Sequence, residues 1–307
     1  MALSIVCFIW ITASIVTLVW LTCMKITKFM TVDGILHNLF YFGKLRDGKF
    51  HDATGRFRFL DVPKRFFLHF YIVGVILNTA VICVFVNAIY RGKIWPPIFR
   101  EVFDILYYPN INKNSQLNVI NVLVVLLMEE VQVIRRLYEC LTVHIFSESK
   151  MSVIHYGVGL LFYCSFSCGV LSEVDPTHII QFKVSLFEVF IISSSIVIFS
   201  LSWYKQHSTF KILANLRTYK KDSKTSLQHF IPNGDLFHYV SCPHFFTEIL
   251  MYFAMNLVLK FHHTTCLCYL LFICVNQVTF GLITHSWYKQ TFPSYPKHRH
   301  AIIPFIL

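Results

Sequence analysis

Long apolar runs separated by basic, polar stretches dominate this chain. A membrane-spanning helix needs about 20 residues to cross the hydrocarbon layer. Runs of this kind predict spans at residues 2–24, 66–90, 114–136, 151–172, 177–202, 244–259 and 261–288. The third span joins the uncharged run 114–128, which is too short alone, to the polar residues that follow it. The pattern predicts an all-α, polytopic membrane helical bundle of about seven transmembrane helices, forming one membrane-embedded domain over residues 1–307.

Composition agrees with this prediction. The 307 residues are 55% apolar and only 14% charged, whereas a soluble domain averages about 25% charged residues. A water-soluble fold of this size could not bury so much apolar surface, so that class is excluded.

The distribution of Lys and Arg predicts the orientation. With seven spans, 19 basic residues fall in the segments on one side and five in those on the other. Because cytosolic segments carry the excess of Lys and Arg, the C-terminus is predicted to be cytosolic and the N-terminus outside or lumenal. The net charge of +11 therefore reflects membrane topology, and no nucleic acid partner is expected.

Two common kinds of site are not indicated. There are ten cysteines, nine of them inside apolar segments, and no CxxC pair, so neither a metal site nor a disulfide scaffold is predicted. The chain also lacks GxGxxG, P-loop, HExxH and GxSxG motifs. Any nucleotide must therefore bind without a Rossmann crevice.

The third span carries a polar face. Spacings of three, four and three residues put its polar side chains on one side of a helix: Glu129, Gln132, Arg136 and Glu139. Apolar residues are available for the other faces: Val131, Ile134, Tyr138 and Leu141. Such a face is expected to line the bundle interior or a wet cavity. The alternative is a helix end that emerges into the headgroups.

Glu188 is predicted about 16 Å deep, because it lies 11 residues into the fifth span. A carboxylate within the membrane is a functional candidate, and here a substrate-binding one. The alternative is a structural hydrogen bond to Ser185 or Ser195.

A third group of ionisable residues lies at the predicted cytosolic ends of the last spans. His244 and Glu248 share a helical face, and His285 closes the seventh span. All three adjoin the basic loop 203–243, whose Lys and Arg would suit a phosphorylated cofactor. The alternative is that this loop is basic only because it is cytosolic.

The C-terminal third contains specific motifs. They are 231-IPNGDLFHYVS-241 followed by Pro243, His244 and Glu248, the segment 212-ILANLR-217, and the ending 287-WY-288, 294-SYPKHR-299 and 303-IPF-305. Together they closely resemble the signature of the steroid 5α-reductase family. Further segments are similar to its polyprenol reductase branch: 60-LDVPKR-65, 135-RRLYEC-140, 241-SCPH-244 and 295-YPKHR-299.

The resemblance implies a seven-helix membrane fold that binds NADPH from the cytosolic side. It implies a cofactor-binding role for Arg217, His244, Glu248, Tyr288, Arg136 and His229. His285 matches a histidine that the family uses near the reacting centre. Asp61 matches the glutamate that binds the substrate carbonyl in steroid reductases, and is expected to act with His285 as a catalytic residue.

Two departures bear on the substrate. Val133 stands where steroid reductases have the tyrosine partner of that glutamate, with Gln132, a candidate substrate contact, beside it. His244 replaces an asparagine of the steroid enzymes. Both disfavour a steroid.

The resemblance thus implies NADPH-dependent reduction of the α-isoprene double bond of polyprenol or polyprenal to dolichol or dolichal, for dolichol-linked protein glycosylation. It also implies a location in the endoplasmic reticulum membrane with the active side facing the cytosol. The alternatives are a 3-oxo-steroid 5α-reductase, a membrane isoprenoid or phospholipid methyltransferase, a seven-span receptor, and a channel or scaffold.

Overall fold

A computed structural model describes residues 3–26, 61–91, 95–107, 118–146, 150–174, 185–218 and 229–307. Within them the chain forms eight α-helices: α1 (Ile5–Ile26), α2 (Phe67–Arg91), α3 (Pro97–Leu106), α4 (Val119–Thr142), α5 (Val153–Ser172), α6 (Leu186–Thr218), α7 (Pro243–Val258) and α8 (Thr264–Thr291). Most of the predicted loop 25–65, the start of the predicted fifth span at Thr177, and Lys220, Lys221 and Lys224 lie outside the described residues.

Five segments of the described chain are long and apolar enough to cross a bilayer: Ile5–Cys23, Lys64–Tyr90, Val153–Ser172, Leu186–Arg217 and Thr264–Thr291. The prediction of an all-α membrane bundle is therefore confirmed. The predicted third and sixth spans correspond to α4, which carries several charges, and to α7, which has 16 residues. Both pack against neighbouring helices of the bundle.

A short antiparallel sheet is the exception to the helical fold. Strands β1 (Asp61–Pro63) and β2 (Lys150–Ser152) pair with Asp61 opposite Ser152 and Pro63 opposite Lys150. The pairing joins the segments that lead into α2 and α5, so those helices start side by side at one end of the bundle. Ser152 also caps α5, since its hydroxyl accepts a hydrogen bond from the Ile154 N–H at 3.2 Å.

Helix α6 is longer than predicted. The sequence pattern ended the fifth span at residue 202 and began a polar loop at residue 203, but α6 continues to Thr218 without a break. Its 33 residues make it about 50 Å long, more than the hydrocarbon thickness. The fall in hydropathy after residue 202 therefore marks a more polar part of one helix, and not its end.

The predicted depth of Glu188 is wrong. Glu188 lies in the first turn of α6, where its carboxylate accepts a hydrogen bond from the Ser185 N–H at 3.0 Å. The Ser185 hydroxyl accepts one from the Glu188 N–H at 3.2 Å. This reciprocal arrangement is a capping box, which marks a helix start. Glu188 also forms an ion pair with Lys260, in the turn between α7 and α8.

Aromatic side chains fill the centre of the bundle. Trp10 of α1 contacts Phe162 of α5 with ring centroids 5.6 Å apart, and Phe272 of α8 at 4.6 Å. Phe162 also meets Tyr252 of α7 at 5.8 Å. These edge-on and tilted contacts join four helices, and each is worth about 0.5–1.5 kcal/mol beyond the burial of its area.

The start of α8 is held by a side chain from another helix. Glu173, which follows α5, accepts hydrogen bonds from the Thr264 N–H at 3.0 Å and the Thr265 N–H at 2.7 Å. These amides have no partner within the helix, so the carboxylate both pairs them and favours the positive end of the helix dipole. Burial lowers the pKa of the adjacent His263, so its ring is neutral and donates from Nε2 to the Val170 carbonyl at 3.0 Å.

The chain after α8 folds back against the bundle. The Ser241 and Cys242 N–H groups donate to the carbonyls of His300 and Ala301 at 2.9 and 3.1 Å. Ile302 is fully buried, and its Cγ1 lies 2.3 Å from where a Cβ would stand on Gly281 of α8. Only a residue without a Cβ allows this approach.

We expect Gly281→Ala to destabilise the protein, since the new methyl group would overlap Ile302. Overpacking of this kind costs about 1–3 kcal/mol, more than alanine gains over glycine in a helix. Gly157→Ala in α5 is the matched control, because a Cβ there has no neighbour within 4 Å. The thermal unfolding midpoint in detergent should fall for Gly281→Ala and stay level or rise for Gly157→Ala. Equal midpoints would contradict the close packing of residue 302 on α8.

Candidate active site

A cavity of about 370 Å³ opens at the end of the bundle that carries β1 and β2. Helices α2, α4, α5, α6, α7 and α8 all contribute to its wall. Its cationic lining residues are Lys64, Arg136 and Arg217, and its uncharged or acidic polar ones include His144, His155, Gln206, His244, Glu248, Asn276 and Gln277. Aromatic and apolar side chains complete it, among them Phe67, Tyr71, Tyr163, Phe210, Leu213, Phe245 and Phe280.

The polar face of α4 points into the bundle, as its spacing predicts. Glu129, Gln132 and Glu139 are 2%, 1% and 0% exposed. The apolar residues assigned to the other faces are the exposed ones, at 47% for Val131, 49% for Ile134, 55% for Tyr138 and 65% for Leu141. An apolar outer face suits lipid, so α4 can lie in the membrane despite its charges.

Gln206 of α6 links the buried polar groups of three helices. Its amide nitrogen donates to the Glu248 carboxylate and to the His244 carbonyl, the latter at 3.2 Å. Its amide oxygen accepts from Arg135 and, at 3.2 Å, from Gln132. Because one amide offers both donors and acceptors, Gln206 joins an arginine to a carboxylate that could not meet directly.

Gln132 completes the support of Glu248. Its amide nitrogen lies 3.3 Å from the Glu248 carboxylate, and its oxygen accepts from Arg135 at 2.7 Å. The side chain is thus held by protein groups on both sides. Gln132 contacts the cavity through Glu248, and it is not itself a lining residue.

Arg136 is fixed by contacts from several sides. It donates to the Tyr71 hydroxyl at 2.9 Å and forms an ion pair with Glu139. The ring of Phe210 lies against it, 4.1 Å from its guanidinium carbon. A cation held between a carboxylate and aromatic faces keeps its charge while buried. It is therefore a preorganised cation in the cavity wall.

His144 follows α4 and contacts the same guanidinium. Its Nε2 lies 3.3 Å from Arg136 Nη1. Burial and the Arg136 charge lower the pKa of His144 to about 3. The ring is neutral at physiological pH, so Nε2 accepts the hydrogen bond that Arg136 donates.

A second set of contacts balances the charge of Arg135. Arg135 donates to Glu139 at 2.8 Å, and His207 Nδ1 lies 2.7 Å from the same carboxylate oxygen. Glu139 thus contacts Arg135, Arg136 and His207 while it is fully buried. A buried carboxylate of this kind needs such partners, because an isolated one would cost several kcal/mol.

The structure brings four of the predicted cofactor residues together. Arg136, Arg217, His244 and Glu248 all line the cavity, from α4, α6 and the first turns of α7. Arg217 also donates to the Ile145 carbonyl, which ties the end of α6 to the segment after α4. Of the three side chains expected to converge at this end, His244 and Glu248 line the cavity and His285 does not. The binding of a cofactor by the four lining residues stays a prediction.

Tyr288 and His229 lie beside the cavity residues without lining it. Tyr288 stacks on Tyr295 with ring centroids 5.4 Å apart, and His229 meets Trp287 edge-on at 5.1 Å. Both therefore belong to a group of aromatic side chains in contact at the end of α8. Their role toward a cofactor remains a prediction.

His285 belongs to a separate polar cluster at the same end. Its Nδ1 lies 2.6 Å from the Ser241 hydroxyl, which lies 2.5 Å from the Tyr295 hydroxyl. Phe280 of the cavity wall is five residues earlier on the same helix. His285 is therefore about 7.5 Å further along α8 than the cavity lining.

The two remaining predicted residues differ in their positions. Asp61 lies in β1 at the cavity end, three residues before the lining residue Lys64, but it is not a lining residue itself. Glu188 lies at the opposite end of α6, 18 residues from Gln206, which corresponds to about 27 Å. The geometry does not bring Glu188 to this site, so its predicted substrate contact has no structural support.

Sequence reasoning missed several lining residues. Gln206, Phe210 and Leu213 are among them, and with the predicted Arg217 they follow each other at spacings of four, three and four, which is one face of a helix. The sequence pattern ended that helix at residue 202, before this face begins. Asn276 and Gln277 were missed because neither side chain is ionisable. A pair of amides inside an apolar run is a signal that could have identified them.

Comparison with known proteins identifies the family of the chain. Residues 149–307 match the family described as 3-oxo-5-alpha-steroid 4-dehydrogenase. A protein of Caenorhabditis elegans named polyprenal reductase is 33% identical over 261 residues, covering 81% of this chain and 80% of that protein. Proteins of the same name from Homo sapiens and Danio rerio are 31% identical over 278 residues and 28% over 309. They cover 89% and 96% of this chain, and 86% and 98% of their own lengths.

The matched region contains α5 to α8 and the segment after them, which supply Arg217, His244, Glu248 and His285. The chain therefore belongs to the 3-oxo-5-alpha-steroid 4-dehydrogenase family, the family that its C-terminal motifs resemble.

Proposed function

We propose that this protein is an NADPH-dependent oxidoreductase that reduces the α-isoprene carbon–carbon double bond of polyprenal, in a pathway that yields dolichol for protein glycosylation. The observation that carries the proposal is the combination of fixed cations and aromatic walls in one cavity of a membrane bundle. Arg136 and Arg217 suit a phosphorylated cofactor, and the aromatic wall suits an isoprenoid. The name of the relatives, polyprenal reductase, supports the same substrate.

Reduction of this kind constrains the acceptor. Bound NADPH supplies a hydride, which is a nucleophile and adds only to an electron-poor alkene. An alkene conjugated to an aldehyde qualifies, and the isolated alkene of an allylic alcohol does not. We therefore favour polyprenal over polyprenol as the direct acceptor.

The donor set of the cavity fits this cofactor. Lys64, Arg136 and Arg217 are the cations available to its phosphate groups. Glu248 and His244 offer acceptor and donor atoms for ribose hydroxyls and the carboxamide. Burial of the Arg136 side chain, which is 12% exposed, keeps its contacts unscreened by solvent.

The protein groups have two further tasks, which are to polarise the carbonyl oxygen and to deliver a proton to the α-carbon. Asp61 is our candidate catalytic residue from the sequence, and β1 places it at the cavity end, three residues before Lys64. His285 is our candidate for orienting the reactants or moving the proton. Gln132 supports the site by holding the Glu248 carboxylate with its amide nitrogen.

A steroid acceptor is the second candidate, since the family description names a 3-oxo-5-alpha-steroid. Val133, at the position of the missing tyrosine, is 1% exposed and contacts the Gly74 region of α2. The valine side chain therefore offers no hydroxyl that could bind the carbonyl of a steroid. We therefore rank the steroid below the isoprenoid aldehyde.

We also propose seven membrane spans, with α4 and α7 added to the five apolar segments, in the endoplasmic reticulum membrane. The cavity end would face the cytosol and the N-terminus the lumen. The excess of basic residues supports this, since Lys64, Lys205, Lys289 and Lys297 all belong to the basic side.

We expect detergent-purified protein to oxidise NADPH when given polyprenal, and not when given polyprenol or testosterone alone. The reason is that only polyprenal combines an activated alkene with an isoprenoid tail. NADPH absorbance measures turnover, and product analysis by mass spectrometry checks for dolichal. Protein with NADPH and no acceptor is the control. Turnover with testosterone alone would move the protein to the steroid branch of the family.

Glu248→Gln should lower kcat/KM roughly 10–100-fold, because the loss of charge leaves the donors of Gln206 and Gln132 facing a neutral amide. Glu130→Gln is the matched control, since Glu130 accepts from Thr79 and Asn78 on another side of α4. Steady-state rates with polyprenal and the unfolding midpoint should be measured for both. Equal rates for the two variants would exclude Glu248 from the site.

The proposed orientation predicts which exposed positions react from outside sealed microsomes. Lys297→Cys should be labelled by a membrane-impermeant maleimide in intact endoplasmic reticulum vesicles. His262→Cys, in the turn before α8 at the other end, should be labelled only after permeabilisation. The unmodified protein measures the background of the native cysteines. The reverse pattern would invert the topology.

A further inference from the structure

Ser241 is the centre of a buried hydrogen-bond cluster that the proposed reaction has not yet used. It lies two residues before α7 and is 2% exposed. Its hydroxyl is within hydrogen-bond distance of three groups: His285 Nδ1 at 2.6 Å, the Tyr295 hydroxyl at 2.5 Å and the His300 carbonyl at 3.1 Å.

Counting protons assigns the donors. A serine hydroxyl has one proton to donate and can accept from others. Burial raises the pKa of Tyr295, so its phenol keeps its proton and donates to Ser241. The single Ser241 proton then goes either to the His300 carbonyl or to His285 Nδ1.

The contact with the carbonyl decides the direction. A carbonyl oxygen only accepts, so the Ser241 hydroxyl donates to His300 at 3.1 Å. The Ser241 oxygen then accepts from the Tyr295 hydroxyl and from His285 Nδ1. This arrangement satisfies all three contacts, and the neutral ring of His285 carries its proton on Nδ1.

The titratable neighbours of His285 are basic residues. They are Lys289, one turn later on α8, and His300. Within the described part of the chain, no carboxylate lies within ion-pair distance of His285. A hydroxyl partner orients an imidazole without stabilising its cation, in contrast to an aspartate.

We propose that Ser241, itself held by Tyr295, is a positioning residue that keeps His285 in the tautomer with its proton on Nδ1. This inference rests on the proposed function. In this tautomer Nε2 of the neutral ring is a hydrogen-bond acceptor with a fixed direction, suited to orient a donor group of the bound reactants.

The cluster is also built into the fold. Tyr295 stacks on Tyr288 of α8, with 13° between the ring planes, and the Ser241 N–H is bonded to the segment after α8. The ring and the backbone therefore stay in place when either hydroxyl is removed. Removing either hydroxyl therefore tests its hydrogen bond without a change in the packing of the segment.

The test is a double-mutant cycle on polyprenal reduction. Ser241→Ala should lower kcat by up to about 100-fold, the loss that a small misplacement of a group at the reacting atoms can cause, with KM for polyprenal and NADPH changed less than about threefold. Tyr295→Phe should lower kcat in the same way by about three- to tenfold. In a His285→Gln background, Ser241→Ala should cause no further loss, since it acts only through the histidine.

Ser195→Ala is the matched control. Ser195 is equally buried, and its hydroxyl donates only to the Ile191 carbonyl within α6. Its kcat should equal that of the unmodified protein. The unfolding midpoint is measured for every variant, and Tyr295→Phe carries the test if Ser241→Ala does not fold.

Three results separate the hypotheses. Full kcat in Ser241→Ala or, where that variant does not fold, in Tyr295→Phe would overturn the positioning role. So would an equal loss with and without His285. If the unmodified protein turns over no acceptor at all, the proposed function fails first, and that outcome is visible before any variant is compared.

Discussion

The structure depends on one constraint, which is that every charge inside the bundle needs a partner. Arg135, Arg136, Glu139 and Glu248 are brought together by α4, α6 and α7, and Gln206 completes the network. Removing one partner of a buried ion pair typically costs about 3–5 kcal/mol, since the other charge is left uncompensated. The network therefore specifies how the three helices sit relative to one another, and the cavity is the space that this arrangement leaves beside it.

The long α6 follows from the same constraint. The residues that complete the network, Gln206 and His207, lie after the apolar part of that helix, and so does Arg217 in the cavity wall. Had the helix ended at residue 202, these side chains would have had no fixed direction. The helix fixes the direction of all three side chains. The more polar end of α6 is therefore part of the site and not a linker.

Sequence patterns predicted the helical membrane bundle and the buried face of α4, because spacing in a helix maps directly onto direction. They also predicted that His244, Glu248 and His285 converge, and the structure brings the first two into one cavity wall while His285 lies in a neighbouring cluster. They failed at Glu188, where a largely apolar run hid a helix start that the Ser185–Glu188 capping box defines. The β1–β2 pairing and the contacts of Gln206 were beyond reach, since they depend on residues far apart in sequence that only the folded chain brings together.

The two ends of the bundle are built for different tasks. At one end, Glu173 pairs the free amides of α8, and Glu188 pairs with Lys260, so polar groups satisfy one another. At the other end, Arg136 and Arg217 are held at a cavity wall, where their remaining donors can meet an anionic ligand. A pore would need polar lining along its whole length, yet the centre between the two ends is filled by Trp10, Phe162 and their aromatic neighbours. This asymmetry favours a one-sided catalytic site over a channel.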